Sequence, residues 1–363
     1  WSSKSPEHGK PALFRELFMT ESSRSDSPDG PAFRSEAGRG NSGFATQAYL
    51  HEVFGLRGNL ARSTCGRRPI PITVCRPAAE DIDLVPDVRE DYVWNVQELK
   101  YVLSAVEMGI PVYIWGHKGV GKTEMVEQIC ARTRRPLVRV QHTSNTEESQ
   151  IVGQWTVKDG STVFEYGPLP TAMKYGWAYL ADEYDFGLPN VLGVYQAMLE
   201  GKPLMIKEAP ADMRVVRPHP DFRFFATGNT NGTGDETGLY QGTVLQNAAN
   251  FDRFGLVLQK GYMARKDEIK ILERSTVVTN EEAGRLVDFA AQVRKAFDAG
   301  KISDTISVRT LIFAARLGVA HASFRAGLQL AFLNKLSATD RAACDALAMR
   351  IFGMKESRSD EGV

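Results

Sequence analysis

Gly116-His117-Lys118-Gly119-Val120-Gly121-Lys122-Thr123 is a complete G-x-x-x-x-G-K-T stretch, and the run Pro111-Val112-Tyr113-Ile114-Trp115 leads straight into it. The run reads as a buried strand, and Lys122 to Arg132 reads as a helix. Strand, glycine-rich turn and helix in that order make a phosphate-binding loop. Glycines take positive φ without steric cost, so successive backbone N–H groups can turn inward toward phosphate oxygens. Lys122 is expected to reach the β- and γ-phosphates and the Thr123 hydroxyl to hold Mg²⁺. The helix that follows aims its positive N-terminal end at the same phosphates. His117 lies inside the loop, with its side chain expected to point away from them.

Five more positions extend this site. Trp177-Ala178-Tyr179-Leu180-Ala181-Asp182-Glu183 is an apolar strand ending in two carboxylates, which places both at the edge of a sheet where ligands bind. Asp182 suits the Mg²⁺ shell, and Glu183 suits orienting and polarising a water. Phe222 to Asn229 is another buried strand ending in a polar amide; Asn229 either caps a turn or holds the lytic water beside Glu183. Arg253, next to Asp252, is either surface charge or an arginine finger reaching a neighbouring subunit's γ-phosphate. Arg309 starts a helix, and either lies on its surface or closes over the phosphates.

The remaining strand candidates are Leu137–Gln141 and Phe254–Gln259. Apolar strands alternating with helices mean a parallel sheet covered on both faces. Two β-hairpins interrupt it: residues 154–164, turning at Asp159-Gly160, and residues 203–216. Beyond Tyr262 the strand signals stop. Leu286, Phe289, Val293 and Phe297 recur at helical spacing, as do Ile312, Ala315 and Val319, and Ser337 to Asp340 resembles a capping box before a last helix ending near Gly353. The fold class is therefore α/β: a core with a parallel five-stranded sheet and inserted hairpins, plus a small C-terminal helical domain.

The 363 residues allow more than one domain. The expected division is a flexible low-complexity region over 1–68, an extended lead-in over 69–95 that includes Asp81 to Val88, an α/β core over 96–262, a helical domain over 263–355 and a tail over 356–363. Residues 1–45 are rich in Ser, Gly and Pro, with a short helix expected at 12–18; Tyr49 to Phe54 reads as a short amphipathic helix. With 44 basic and 44 acidic residues the formal charge is zero, which argues against bulk nucleic-acid binding. No apolar stretch approaches ~20 residues, so no membrane span is expected, and the expected location is cytoplasmic. The four cysteines form no C-x-x-C pair, which disfavours structural zinc.

Taken together, these stretches resemble the AAA+ ATPases, specifically their MoxR and chelatase branch and, within it, the CobS family of aerobic cobaltochelatase subunits. The resemblance is carried by the loop, Asp182-Glu-Tyr-Asp185, Val216 to Phe222, Ala226 to Thr230, Gly234-Asp-Glu-Thr-Gly-Leu-Tyr-Gln-Gly242, Asp252-Arg253 and Phe332-Leu-Asn-Lys335. It implies Lys122 and Thr123 as the first nucleotide motif, Asp182 and Glu183 as the second, Asn229 as sensor 1, Arg253 as the finger and Arg309 as sensor 2. It further implies ATP and Mg²⁺, a homo-hexameric ring, a separate CobT-like partner with a von Willebrand A domain, and a CobN-like chelatase subunit. The work done is then remodelling of a partner, with cobalt insertion into a corrin as one form. A MoxR-type chaperone outside cobalamin synthesis, a nucleic-acid motor and a nucleotide-gated scaffold are the alternatives.

Overall fold

A computed structural model describes residues 46–58, 62, 68–235 and 238–353. In chain order its strands are β1 (Thr46–Tyr49), β2 (Pro71–Val74), β3 (Val112–Trp115), β4 (Leu137–Gln141), β5 (Gly153–Lys158), β6 (Ser161–Tyr166), β7 (Ala178–Asp182), β8 (Leu204–Met205), β9 (Val215–Val216), β10 (Arg223–Gly228) and β11 (Leu256–Gln259). The longer helices are α1 (Val96–Met108), α2 (Lys122–Arg132), α3 (Pro168–Tyr175), α4 (Arg265–Ser275), α5 (Asn280–Asp298), α6 (Val308–Ala320), α7 (Phe324–Ala331) and α8 (Ala338–Phe352). The expected N-terminal tail, its helix at 12–18 and the C-terminal tail lie outside the described residues.

Five strands pair in parallel in the order β11-β3-β10-β7-β4. These are the five read from the sequence, with the ends trimmed. Side chains alternate between two covered faces. Tyr113, Tyr179, Ala181 and Phe224 join one apolar cluster with Leu169 and Met173 of α3. Val112, Ile114, Leu180 and Phe225 join the other, with Leu99 of α1 and Met125 and Ile129 of α2. Covering on both faces is why the strands read as continuous apolar runs rather than alternating ones. Because all five run the same way, the ends of β3, β7 and β10 deliver the loop, Asp182 and Asn229 to one edge.

Both hairpins form. β5 and β6 turn through Asp159 and Gly160, whose φ values of 50° and 77° are those of the two-residue turn that matches strand twist. In the second, only β8 and β9 pair, two residues each. The indole N–H of Trp155 on the first hairpin donates to the Glu208 carbonyl of the second at 3.0 Å.

The region before α1 departs from expectation. Residues 81–84, read as extended, belong to a 3₁₀ helix (Ala79–Leu84), where Asp81 is buried and accepts a hydrogen bond from the Trp177 indole at 3.0 Å. β1 and β2 form an antiparallel pair that the sequence reading missed, and the helix read over residues 49–54 is reduced to Leu50–Val53. Leu50, Phe54 and Ile72 are buried in the cluster under α1, so ordered structure begins inside the span expected to be flexible up to residue 68.

Helices α4 to α8 close around their own core, with Leu272, Leu286, Phe289, Val293, Leu311 and Leu328 buried. The side chains of Thr279, Ser307, Ser323 and Ser337 each accept a backbone N–H at a helix start, which accounts for where α5, α6, α7 and α8 begin. Among the described residues no helix is long and apolar enough to cross a membrane.

Candidate functional site

The sheet edge, the glycine-rich loop and the start of α6 enclose a cavity of about 790 Å³. Loop residues 118–123, Asp182, Glu183, Asn229 and Arg309 line it. Gly119 has φ of 73°, and a Cβ there would sit 2.3 Å from Ser307 Cβ, so the cap of α6 rests directly on the loop. Gly116 has φ of 150°, and its Cβ would meet the Lys260 carbonyl at 2.1 Å. Any larger residue at either position would have to displace a neighbour as well as strain its own backbone.

Lys122 Nζ donates to Gly116 O at 2.6 Å, to Asn229 Oδ1 at 3.0 Å and to His117 O at 3.2 Å. Burial lowers its pKa to about 8, although Asp185, Asp182 and Glu183 pull the other way. A cation held on three oxygens at the head of a helix is ready to exchange them for phosphate oxygens.

Thr123 Oγ1 donates to Asp182 Oδ1 at 2.8 Å, and Thr227 Oγ1 donates to the same oxygen. Asp182 Oδ2 takes a two-pronged contact from Arg139, Nε at 2.8 Å and Nη2 at 2.5 Å. A hydroxyl and a carboxylate are the hard oxygen donors that Mg²⁺ takes, and the buried anion at Asp182 is paired with a cation here, so these residues fit that metal. Glu183 sits in the left-handed region at φ 53°, ψ 41°, held by Gln141 Nε2 donating to Oε2 at 2.8 Å and by its own N–H on Thr227 Oγ1 at 3.2 Å. A non-glycine residue in that region is uncommon and is kept there by its surroundings.

Asn229 is positioned from behind. The fully buried Asp185 accepts the Asn229 N–H at 2.8 Å, the Thr230 N–H at 2.9 Å and the Thr230 hydroxyl at 3.0 Å, all on Oδ2. Burial raises the Asp185 pKa against these donors. The Tyr113 hydroxyl donates to Thr230 O at 2.8 Å and fixes the same turn.

Gly116 and His117 do not line the cavity. The His117 ring stacks against Tyr240 and Tyr262, with Nδ1 3.0 Å from the Tyr240 hydroxyl. Arg309 lines the cavity and has no side-chain hydrogen bond or ion pair among the described residues. Arg253 is not brought to this cavity: its guanidinium pairs with Glu200 at 2.6 Å and donates to Ala249 O at 2.5 Å.

Sequence reasoning missed Arg139, Gln141, Thr227, Tyr240 and Arg316 in the lining, and gave Asp185 no role of its own. Arg139 and Gln141 are two apart on β4, hence on one face, and register pairs Gln141 with Asp182 of β7. That spacing is a usable signal only once β4 is known to lie beside β7.

The sequence profile of the AAA domain (dynein-related subfamily) matches residues 111–244, and that of the CbbQ/NirQ/NorQ C-terminal region matches residues 268–351. The chain is 35% identical to the aerobic cobaltochelatase subunit CobS of Sinorhizobium sp over 282 residues, covering 75% of this chain and 84% of that protein. It is 22% identical to protein NorQ of Paracoccus denitrificans (strain Pd 1222), covering 72% of this chain and 94% of NorQ. Against von Willebrand factor A domain-containing protein 8 of Mus musculus the identity is 31%, over 41% of this chain but only 8% of that much longer protein.

Proposed function

The chain belongs to the AAA+ ATPases, in the MoxR-like branch that includes CobS, and from its site we propose an Mg²⁺-dependent ring subunit that spends ATP on remodelling a separate partner protein. The observation that carries this is the convergence of Lys122, Asn229, Thr123 and Asp182 through direct hydrogen bonds at one sheet edge. The division into an ATPase core over 96–262 and a lid over 263–355 belongs to the same proposal.

In this reading Lys122 trades its three carbonyl and amide oxygens for the β- and γ-phosphate oxygens. Thr123 and Asp182 hold Mg²⁺, which when bound supplies neutralisation of the phosphate charge. Glu183 orients the attacking water and takes up its proton, and Asn229 holds that water from the opposite side. Arg309 closes from the lid onto the phosphates. Arg253, turned away from its own cavity, supplies the finger to a neighbour's. The test is subunit mixing. Arg253→Ala and Lys122→Ala chains are each inactive alone, and a mixture recovers part of the ATPase rate at interfaces where an intact Arg253 meets an intact Lys122. Absence of any recovery at all mixing ratios removes the finger role.

Likeness to CobS over most of both chains supports cobalt insertion into a corrin as the work done, with CobT-like and CobN-like partners. A second reading, remodelling of another complex by a MoxR-type chaperone with a von Willebrand A partner, is favoured by the CbbQ/NirQ/NorQ match over the lid and by the partial match to the von Willebrand A protein. ATP-dependent cobalt insertion on reconstitution with the two chelatase partners selects the first; ATPase activity without insertion selects the second.

A further inference from the structure

Asp182 is the one acidic residue that the proposed site assigns to the metal, yet its Oδ2 is already engaged by a cation. Arg139 reaches it through Nε, which donates at 2.8 Å, and Nη2 at 2.5 Å, a charge-assisted contact in which both nitrogens converge on one oxygen. The carboxylate is 4% exposed while the Arg139 side chain is 45% exposed. One partner is therefore fixed in the sheet edge and the other is free to swing.

Arg139 also has a second seat. Its Nη1 lies 3.4 Å from Glu127 Oε1 on α2, a contact at the outer limit of a hydrogen bond. Glu127 is one turn along α2 from Thr123, on the same helix face, so both seats stand next to the expected metal position. A divalent cation arriving at Thr123 and Asp182 and a guanidinium already on Asp182 repel one another at close range. The buried carboxylate cannot stand without a counter-charge in the metal-free state, because an unpaired buried anion is costly.

We propose that Arg139 is a positioning residue that holds Asp182 in the metal-free state and hands it to the metal by moving to Glu127. Arg139 then keeps Asp182 paired and aimed at Thr123 between turnovers, and it sets the metal concentration at which nucleotide is gripped, since metal and guanidinium are two cations drawn to one carboxylate. This rests on the nucleotide-site reading above.

The two seats give opposite expectations for two variants. The readout is Mn²⁺ binding to the full chain in saturating ADP, followed by the electron paramagnetic resonance signal of free Mn²⁺, with ADP affinity in EDTA measured alongside. Arg139→Gln removes the competitor and is expected to lower the Mn²⁺ concentration at half-saturation by about two- to fivefold, on the order of the few tenths to about 0.7 of a unit of log K that one exposed charge pair commands. Glu127→Gln removes the second seat, strengthens the hold on Asp182, and is expected to raise that concentration by a few-fold. ADP affinity in EDTA stays within twofold in both. An unchanged or higher Mn²⁺ requirement in Arg139→Gln overturns the proposal, as that residue would then be supporting the metal-bound carboxylate. If Arg139→Gln does not fold, a fall or no change for Glu127→Gln overturns it equally. No Mn²⁺ or ADP binding by the unmodified chain defeats the nucleotide-site reading itself, and this proposal with it.

Discussion

Asp182–Arg139 at the sheet edge and Glu268–Arg294 in the lid are both carboxylate–guanidinium pairs, placed in contrasting surroundings. The lid pair is sealed. Its side chains are 1% and 10% exposed, Arg294 Nη1 donates to both Glu268 oxygens at 2.8 Å, its Nε donates to Ile306 O, and its guanidinium lies 3.6 Å over the Tyr262 ring. Ile306 immediately precedes Ser307, whose side chain caps α6 and touches the glycine-rich loop. Two partners of Arg294, the Ile306 carbonyl and the Tyr262 ring that also stacks on His117, thus tie the pair to the place where the lid meets the loop. The sheet-edge pair has one fixed member, one half-exposed member and a second carboxylate within reach. Position decides the use of an ion pair: enclosed, it sets a geometry; at a cavity wall, it is exchangeable.

Changes at the cavity should therefore move ligand binding and leave the fold standing, whereas changes in the lid pair should move stability first. The largest expected effect is at the cavity. Lys122→Ala should abolish binding of a fluorescent ATP analogue while the urea midpoint keeps stability within about 1 kcal/mol of the unmodified chain. Retained binding would take the loop out of the site. Next is Glu268→Ala, which leaves Arg294 buried and unpaired and should cost about 3–5 kcal/mol in urea unfolding. A loss near that of an exposed pair, below about 1 kcal/mol, would erase the contrast between the two regions.

The smallest effect is in pH. Lys122 loses its proton near pH 8 in the nucleotide-free chain, against an ordinary value of 10.5. The unfolded chain therefore binds that proton more tightly, so this group's contribution makes the folded chain more stable as pH rises from about 8 to 10.5. Phosphate binding needs the charged amine, so nucleotide affinity should fall above pH 8, by at most about tenfold per unit. Titration of the analogue between pH 7 and pH 10 checks this; a flat profile would mean Lys122 stays charged throughout.

Legibility in the sequence followed the range of the interactions involved. The loop, the Asp182-Glu183 pair and the five sheet strands are local: each is spelled by neighbouring residues, and apolar runs such as residues 178–181 announce burial on both faces. β1 and β2 were unreadable because each is four residues long and gains its register only from the other, across the intervening chain. The 3₁₀ turn at residues 79–84 depends on Asp81 meeting Trp177, far away in sequence. The site was legible to the same depth. Lys122, Thr123, Asp182 and Glu183 could be named, but Arg139 and Gln141 become site residues only because β4 neighbours β7, and strand order is not written in any one strand. Asp185 likewise works through Asn229 and Thr230, contacts that only the folded sheet edge creates.

In the proposed function this cavity both binds ATP and hydrolyses it through Glu183, the residue held in a left-handed turn by Gln141 and Thr227. Single-turnover hydrolysis by Glu183→Gln, measured beside ATP affinity, tests it most directly. The expected result is affinity close to that of the unmodified chain and hydrolysis slower by about 10²- to 10⁴-fold. Turnover at the unmodified rate would contradict it.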